Sequence, residues 1–198
     1  MRRKDREMDW EFGLSVIDKA RFAIMTLVDE YNNAYSIPIS PSRIGNSIYI
    51  HSALEGRKID ILKFNPSVEL VFVGDTHIPE PITDDEFNRY NNENRLVQLV
   101  STKFTTEFES AIINGKAIFV EDQNEKIKGL RAISEKYTPL NMKYFDAAVG
   151  SSISRTCVIR IEILEITAKR KKYDAKGEEM KWGRMQLQKN GLLAEKTK

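Results

Sequence analysis

Cysteine is nearly absent: Cys157 is the only one among 198 residues. An internal disulfide is excluded, and the chain suits a reducing compartment, here the cytoplasm. Val158 and Ile159 beside it mark a buried strand thiol, not a nucleophile. Histidine is as scarce, with only His51 and His77, and no metal-ligand cluster accompanies either. No apolar run approaches the roughly 20 residues needed to cross a bilayer, so no membrane span is expected. The opening MRRKDREMDW is charged and has no apolar segment behind it; it reads as a solvated arm, not a signal peptide. Charge of one sign is also lacking. A formal net charge of +2 gives no reason to expect nucleic acid as a partner. Charge is nevertheless uneven: Pro79–Gln98 carries five acids against two arginines, and Lys169–Lys172 is a basic run of four. A glycine-rich dinucleotide fingerprint is missing too.

What is present is ordinary globular material, 41% apolar and 30% charged. One domain is expected over residues 1–172, followed by a tail, 173–198, that is loosely ordered or contacts a dimer partner. Trp10, Leu14 and Ile17 have helical spacing. Phe22–Val28 (FAIMTLV) and Ala34–Ser40 (AYSIPIS) flank turn residues and predict a β-hairpin, with Pro38 demanding an edge or an irregularity. A turn, PSRIGN, leads to a strand over Ser47–His51. Ser52-x-x-Glu55 has the form of a capping box and predicts a helix to about Lys63, stopped by Asn65-Pro66. Further strands are expected at Val68–Val73 and Ala111–Val120, and a helix carrying Ile127, Leu130 and Tyr137 follows. Pro79–Thr106 reads as an irregular insertion with some helix. Ile159, Ile161 and Ile163 alternate with Arg160 and Glu162, the clearest strand signal in the chain. About six strands with little βαβ alternation predict a mainly β fold, an antiparallel barrel with peripheral helices.

One segment carries chemistry: His51-Ser52-Ala53-Leu54-Glu55-Gly56-Arg57-Lys58, at a strand-to-helix junction. Free amides at a helix start suit a phosphate, and Ser52 can add a hydroxyl. Gly56 permits close approach to the backbone, and two cations lie in the first turns. The same residues also fit a plain helix cap with a solvated basic face, and His51 alone fits a structural histidine. Local features leave both readings open.

The run IYIHSALEGRKIDILKFNPSVELVFVGD, from Ile48 to Asp75, resembles the central motif of the nitroimidazole-resistance family, within the pyridoxamine 5′-phosphate oxidase-like flavin proteins. MRRKDREM, TTEFESAIINGKAIFVED (Thr105–Asp122) and RTCVIRIEILEITAKRKK (Arg155–Lys172) resemble it in the same order. The resemblance implies a six-stranded antiparallel split β-barrel, a homodimer with FMN at its interface, and a small-molecule substrate. It implies that Arg57 and Lys58 grip the FMN phosphate, while His51, Ser52 and Ala53 run beside the flavin and ribityl chain. Ile37, Pro38, Ile39 and Ser40 would form the neighbouring strand under the ring. Glu109 and Ser110 would reach the cofactor from the partner subunit, and His51 would lie close to the substrate.

The chain departs from the oxidase proper in two places. AYSIPIS lacks the arginine and lysine that bracket that enzyme's second strand, and no Arg-Leu-x-Pro signature follows. Oxidation of pyridoxamine phosphate is thus not implied. The insertion at Pro79–Gln98 is longer than expected for the resistance proteins. The expectation is an FMN-dependent oxidoreductase reducing a nitro group or similar small substrate, with the flavin carrying the electron chemistry. Two rival readings stand beside it: a flavin-binding or redox-sensing module without turnover, and a haem-handling relative of the same fold.

Overall fold

A computed structural model describes residues 3–174 and 177–181 of the chain. The described strands are β1 (Glu7–Met8), β2 (Ala23–Val28), β3 (Ala34–Ile39), β4 (Ser42–Ile44), β5 (Ser47–Ser52), β6 (Ser67–His77), β7 (Glu107–Phe119) and β8 (Cys157–Lys171). The helices are α1 (Trp10–Lys19), α2 (Arg57–Phe64), α3 (Asp84–Asn92), α4 (Leu96–Lys103), α5 (Gln123–Tyr137) and α6 (Phe145–Ser152). Six strands are long, as expected, and the short β1 and β4 are additions.

All strand pairings are antiparallel, in the order β3-β2-β6-β7-β8-β5-β4, with β1 on β8. The two ends of this path, β3 and β4, are separated in the chain by Ser40 and Pro41 alone. So short a link forces the sheet to curl until its ends meet. They meet without a ladder between them, which leaves an unpaired seam. Pro38, unable to donate to a ladder, sits on the edge strand β3.

The β2–β3 turn follows from its sequence. The Asp29 carboxylate accepts the amides of Tyr31 (3.0 Å) and Asn33 (2.8 Å), and Asn32 takes φ 61°, which asparagine tolerates. Inside the curl, Met25, Leu27, Ile48, Ile50, Leu70, Phe72, Ile113, Ile159 and Ile161 form the core. Val16 and Ile17 of α1 and Ile59 and Leu62 of α2 join the same cluster. Each such side chain contributes about 1.5–3 kcal/mol by leaving water.

Helix α5, capped where the Asp122 carboxylate accepts the Glu125 amide at 2.7 Å, lies on the outer side of the sheet. It can approach because Gly129 has no side chain: a Cβ there would stand 2.6 Å from the Tyr49 ring. At its far end, Lys136 Nζ donates to the carbonyls of Ile17 (3.0 Å) and Pro41 (3.2 Å), and the Tyr137 hydroxyl donates to Pro41 at 2.9 Å. The linker that crosses the seam is thereby pinned.

Three expectations need correction. The segment PSRIGN contains β4 as well as a turn. Strands β6 and β7 extend to His77 and back to Glu107, because polar residues there still pair beyond a bulge between Val73 and Thr76. Ser52 does not cap a helix; it pairs with Cys157 as the last residue of β5, and α2 starts five residues later behind Gly56. The insertion holds two helices, α3 and α4. In the expected tail, Tyr173 bridges Glu179 and donates to the Ser101 carbonyl at 2.8 Å; residues 175–176 and 182–198 lie outside the described residues.

Candidate functional site

A groove of about 380 Å³ opens where the ends of the curled sheet face each other. Phe22, Pro38, Ile39 and Ser40 form one wall, from the β2–β3 side; Ile50, His51 and Lys58 form the other. The volume falls within the roughly 300–1,000 Å³ typical of small-molecule sites. Strand parity explains the lining. Ile37 and Ile39 pack on the core, whereas Pro38 and Ser40 are exposed on the opposite face. In β5, Ile50 is buried and His51 is exposed.

Helix α2 begins at the edge of this groove. Gly56 is its N-cap at φ 120°, a conformation few other residues adopt, and space is open where its Cβ would be. No side chain caps the helix. The amide of Ile59 is the first to bond within it, 2.8 Å from the Gly56 carbonyl, so the amides of Arg57 and Lys58 precede the ladder. Open space, unladdered amides and the Lys58 ammonium fit a phosphate group, and an apolar wall of Phe22, Pro38 and Ile39 fits a planar ring.

Electrostatics support a neutral imidazole beside a cation. Although the edge of the His51 ring meets solvent, the groove walls around it strip away part of its hydration, and this, with the Lys58 ammonium second, holds its pKa below the usual value. Burial likewise holds the Lys58 ammonium below the usual lysine range. Burial pushes the Cys157 thiol up, against the pull of Lys126, Lys58 and Lys63. Among the described residues, no group of three or more His, Cys, Asp or Glu side chains could hold a metal ion, and no helix is long and apolar enough to cross a membrane.

The other expected site residues lie apart from the groove lining. Arg57 points away from it: its guanidinium stacks 4.4 Å over the Tyr35 ring and pairs with Asp29 at 3.5 Å. Ser52 and Ala53 lead from β5 toward Gly56, with Ser52 paired to Cys157. Glu109 and Ser110 belong to β7, in the middle of the strand order. The Glu109 carboxylate is buried and accepts from Lys19 Nζ at 2.8 Å, while Ser110 pairs with Val73 and Lys169.

Phe22 and Ile50 line the groove without having been singled out from the sequence. Phe22 opens the apolar run FAIMTLV, where every position looks like core. The burial of Ala23, Met25 and Leu27 puts Phe22 on the other parity, and it is 55% exposed. A parity fixed from these three residues could have found it.

No protein-family model and no curated protein matches the chain. Solved structures do match. A candidate 5-nitroimidazole antibiotic resistance protein from Bacteroides thetaiotaomicron VPI-5482 is 22% identical, with TM-score 0.61 over 83% of this chain and 86% of that one. An FAD and haem binding protein from Mycobacterium smegmatis is 14% identical, with TM-score 0.65 over 84% and 73%. An FAD-binding protein from Mesorhizobium loti is 15% identical, with TM-score 0.55 over 84% and 98%. The open eight-stranded antiparallel sheet of this chain thus has the fold of these solved structures, a split β-barrel, as its sequence resemblance implied.

Proposed function

We propose that the groove holds FMN and that the chain is an FMN-dependent oxidoreductase acting on a nitro compound or similar small substrate. The observation that carries this is the meeting, in one groove, of Pro38–Ser40, His51, Lys58 and the uncapped start of α2. Lys58 and the first amides of α2 bind the phosphate. Ser52 and Ala53 run along the ribityl chain, and Pro38, Ile39 and Ser40 support the ring, with Ile37 packed on the core behind them. His51, neutral near neutral pH, orients substrate at the open face and holds or releases a proton at its imidazole nitrogen. When bound, FMN supplies hydride and single-electron transfer, and the walls exclude water from that exchange.

A homodimer completes this reading. Register places Pro38, Ile24, Val71 and Ile112 in one row across the outer face of β3, β2, β6 and β7. Val73 and Ile112 on that face are 46% and 39% exposed. A second copy covers this row and brings the partner subunit's Ser110, on the same face as Ile112, toward the groove, whereas Glu109 faces inward, held by Lys19. The free Cys157 fits a cytoplasmic setting, with no nucleic acid or membrane as partner.

The test is an absorption spectrum of the purified protein, then release and chromatography of any yellow ligand, with sedimentation of the loaded form. FMN in a dimer is the expected result; FAD bound as tightly, or a loaded monomer, contradicts it. A second reading is haem binding, favoured by an exposed neutral histidine at the groove and a neighbour that binds both FAD and haem. A Soret band in place of flavin absorption would decide for it. Flavin uptake without turnover of nitroaromatics by NAD(P)H would instead mark a non-catalytic flavin module.

A further inference from the structure

We propose that Phe22 is the aromatic wall against which the flavin ring lies, so that it sets affinity for the ring itself and not for the phosphate. This rests on the flavin reading above. Phe22 stands one residue before the first β2–β3 pair, Ala23↔Ile39, at the mouth of the seam. Phe22 is 55% exposed, whereas Ala23, Met25 and Leu27 of the strand that follows it are 0% exposed. An aromatic side chain left half in water beside a groove is stabilised when a flat apolar ligand covers it. The rest of that wall, Pro38 and Ile39, is also apolar, while the cationic Lys58 belongs to the other wall. The groove thus has a ring side and a phosphate side, and Phe22 marks the ring side.

The division makes opposite demands on variants. Lys58 distinguishes FMN from riboflavin, which lacks the phosphate. Phe22 does not: Phe22→Ala weakens FMN, riboflavin and lumiflavin alike, by roughly tenfold, the size of an aromatic contact with its buried area. Phe22→Leu keeps bulk and recovers part of the loss. Phe22→Trp places an electron donor against the ring and shortens the fluorescence lifetime of bound riboflavin below that of the wild-type complex.

The experiment titrates all three flavins into wild type and the Phe22 variants, reads the lifetimes, and sediments each sample. An equal loss for the three ligands with quenching by Phe22→Trp supports the proposal. Unchanged affinities and lifetimes overturn it, as does a Phe22→Ala protein that falls to monomer while binding flavin normally, because Phe22 then serves the subunit contact. If wild type itself takes up no flavin, the flavin reading falls and this one with it. Binding by wild type with silent Phe22 variants overturns only the role of Phe22.

Discussion

His51 and Lys58 share one groove, and the ammonium of the second helps keep the imidazole of the first neutral. Neither is joined to a carboxylate in that groove, so the positive potential there is available to an incoming anion. Both groups have pKa values below their usual ones, His51 chiefly through burial and Lys58 chiefly through burial.

The first prediction concerns pH. Because the folded chain binds the His51 proton less readily than the unfolded chain, stability is undiminished above the ordinary value of 6.5 and falls as pH drops below it. Urea midpoints measured from pH 5 to 8 should show this acid loss in wild type and a shallower one in His51→Gln. On the alkaline side, FMN affinity should fall as Lys58 loses its proton at pH values below the usual lysine range. Riboflavin affinity should stay level over the same interval.

The second concerns the two adjacent cations. Lys58→Ala should cost FMN about 1.5–3 kcal/mol, tenfold or more, and leave riboflavin nearly unchanged. Arg57 must first leave Tyr35 and Asp29 to reach a phosphate. Those contacts stabilise its present position by about 0.5–1 kcal/mol each at most. Arg57→Ala should therefore cost FMN only about 1 kcal/mol, still selectively. Calorimetric titration of both ligands checks the order; an Arg57→Ala loss as large as that of Lys58→Ala would contradict it.

The third concerns Gly56. Its φ of 120° lies in territory that is essentially glycine's, although a Cβ would meet open space. Gly56→Ala should destabilise the chain by about 1–3 kcal/mol through backbone strain alone. Chemical denaturation measures this, and FMN affinity should drop with it as the start of α2 shifts.

The fourth concerns Tyr137, whose hydroxyl is pushed up to about 12 by burial. Its folded pKa is raised, so stability is fully present below the ordinary value of 10.0 and is lost as pH rises toward about 12. Tyr137→Phe should be less stable at neutral pH, having lost the bond to Pro41, and should show a weaker alkaline decline. Thermal melts from pH 8 to 11 are sufficient.

Much of this architecture was legible in local sequence signals. The alternation at Ile159, Ile161 and Ile163, the hairpin around Asn32 and the edge position of Pro38 all arise from short-range chemistry. His51 and Lys58, which both line the groove, stood out in the sequence as well. Other features depend on contacts between distant residues. Ser52 satisfies the form of a helix cap, yet its ladder with Cys157 takes precedence, and that pairing spans about half of the chain. Arg57 and Lys58 are neighbours in sequence, but helix rotation sends one toward Tyr35 and the other into the groove. Phe22 was hidden because a continuous apolar run conceals parity. The link from Tyr137 to Pro41 spans 96 residues and has no local signature.

That last link has a consequence for how a ligand would be received. The linker across the seam is held at the Pro41 carbonyl by two donors from α5, and Lys136 ties the same helix to the end of α1. The spacing between the groove walls is therefore fixed before any ligand arrives, much as a vice is set by its screw and not by the workpiece. Binding need not spend its free energy on drawing the walls together, so affinity is expected to reflect contact and charge directly. Slackening α5 at Tyr137, on the far side of the linker, should cost affinity for every flavin while leaving the preference for phosphate intact.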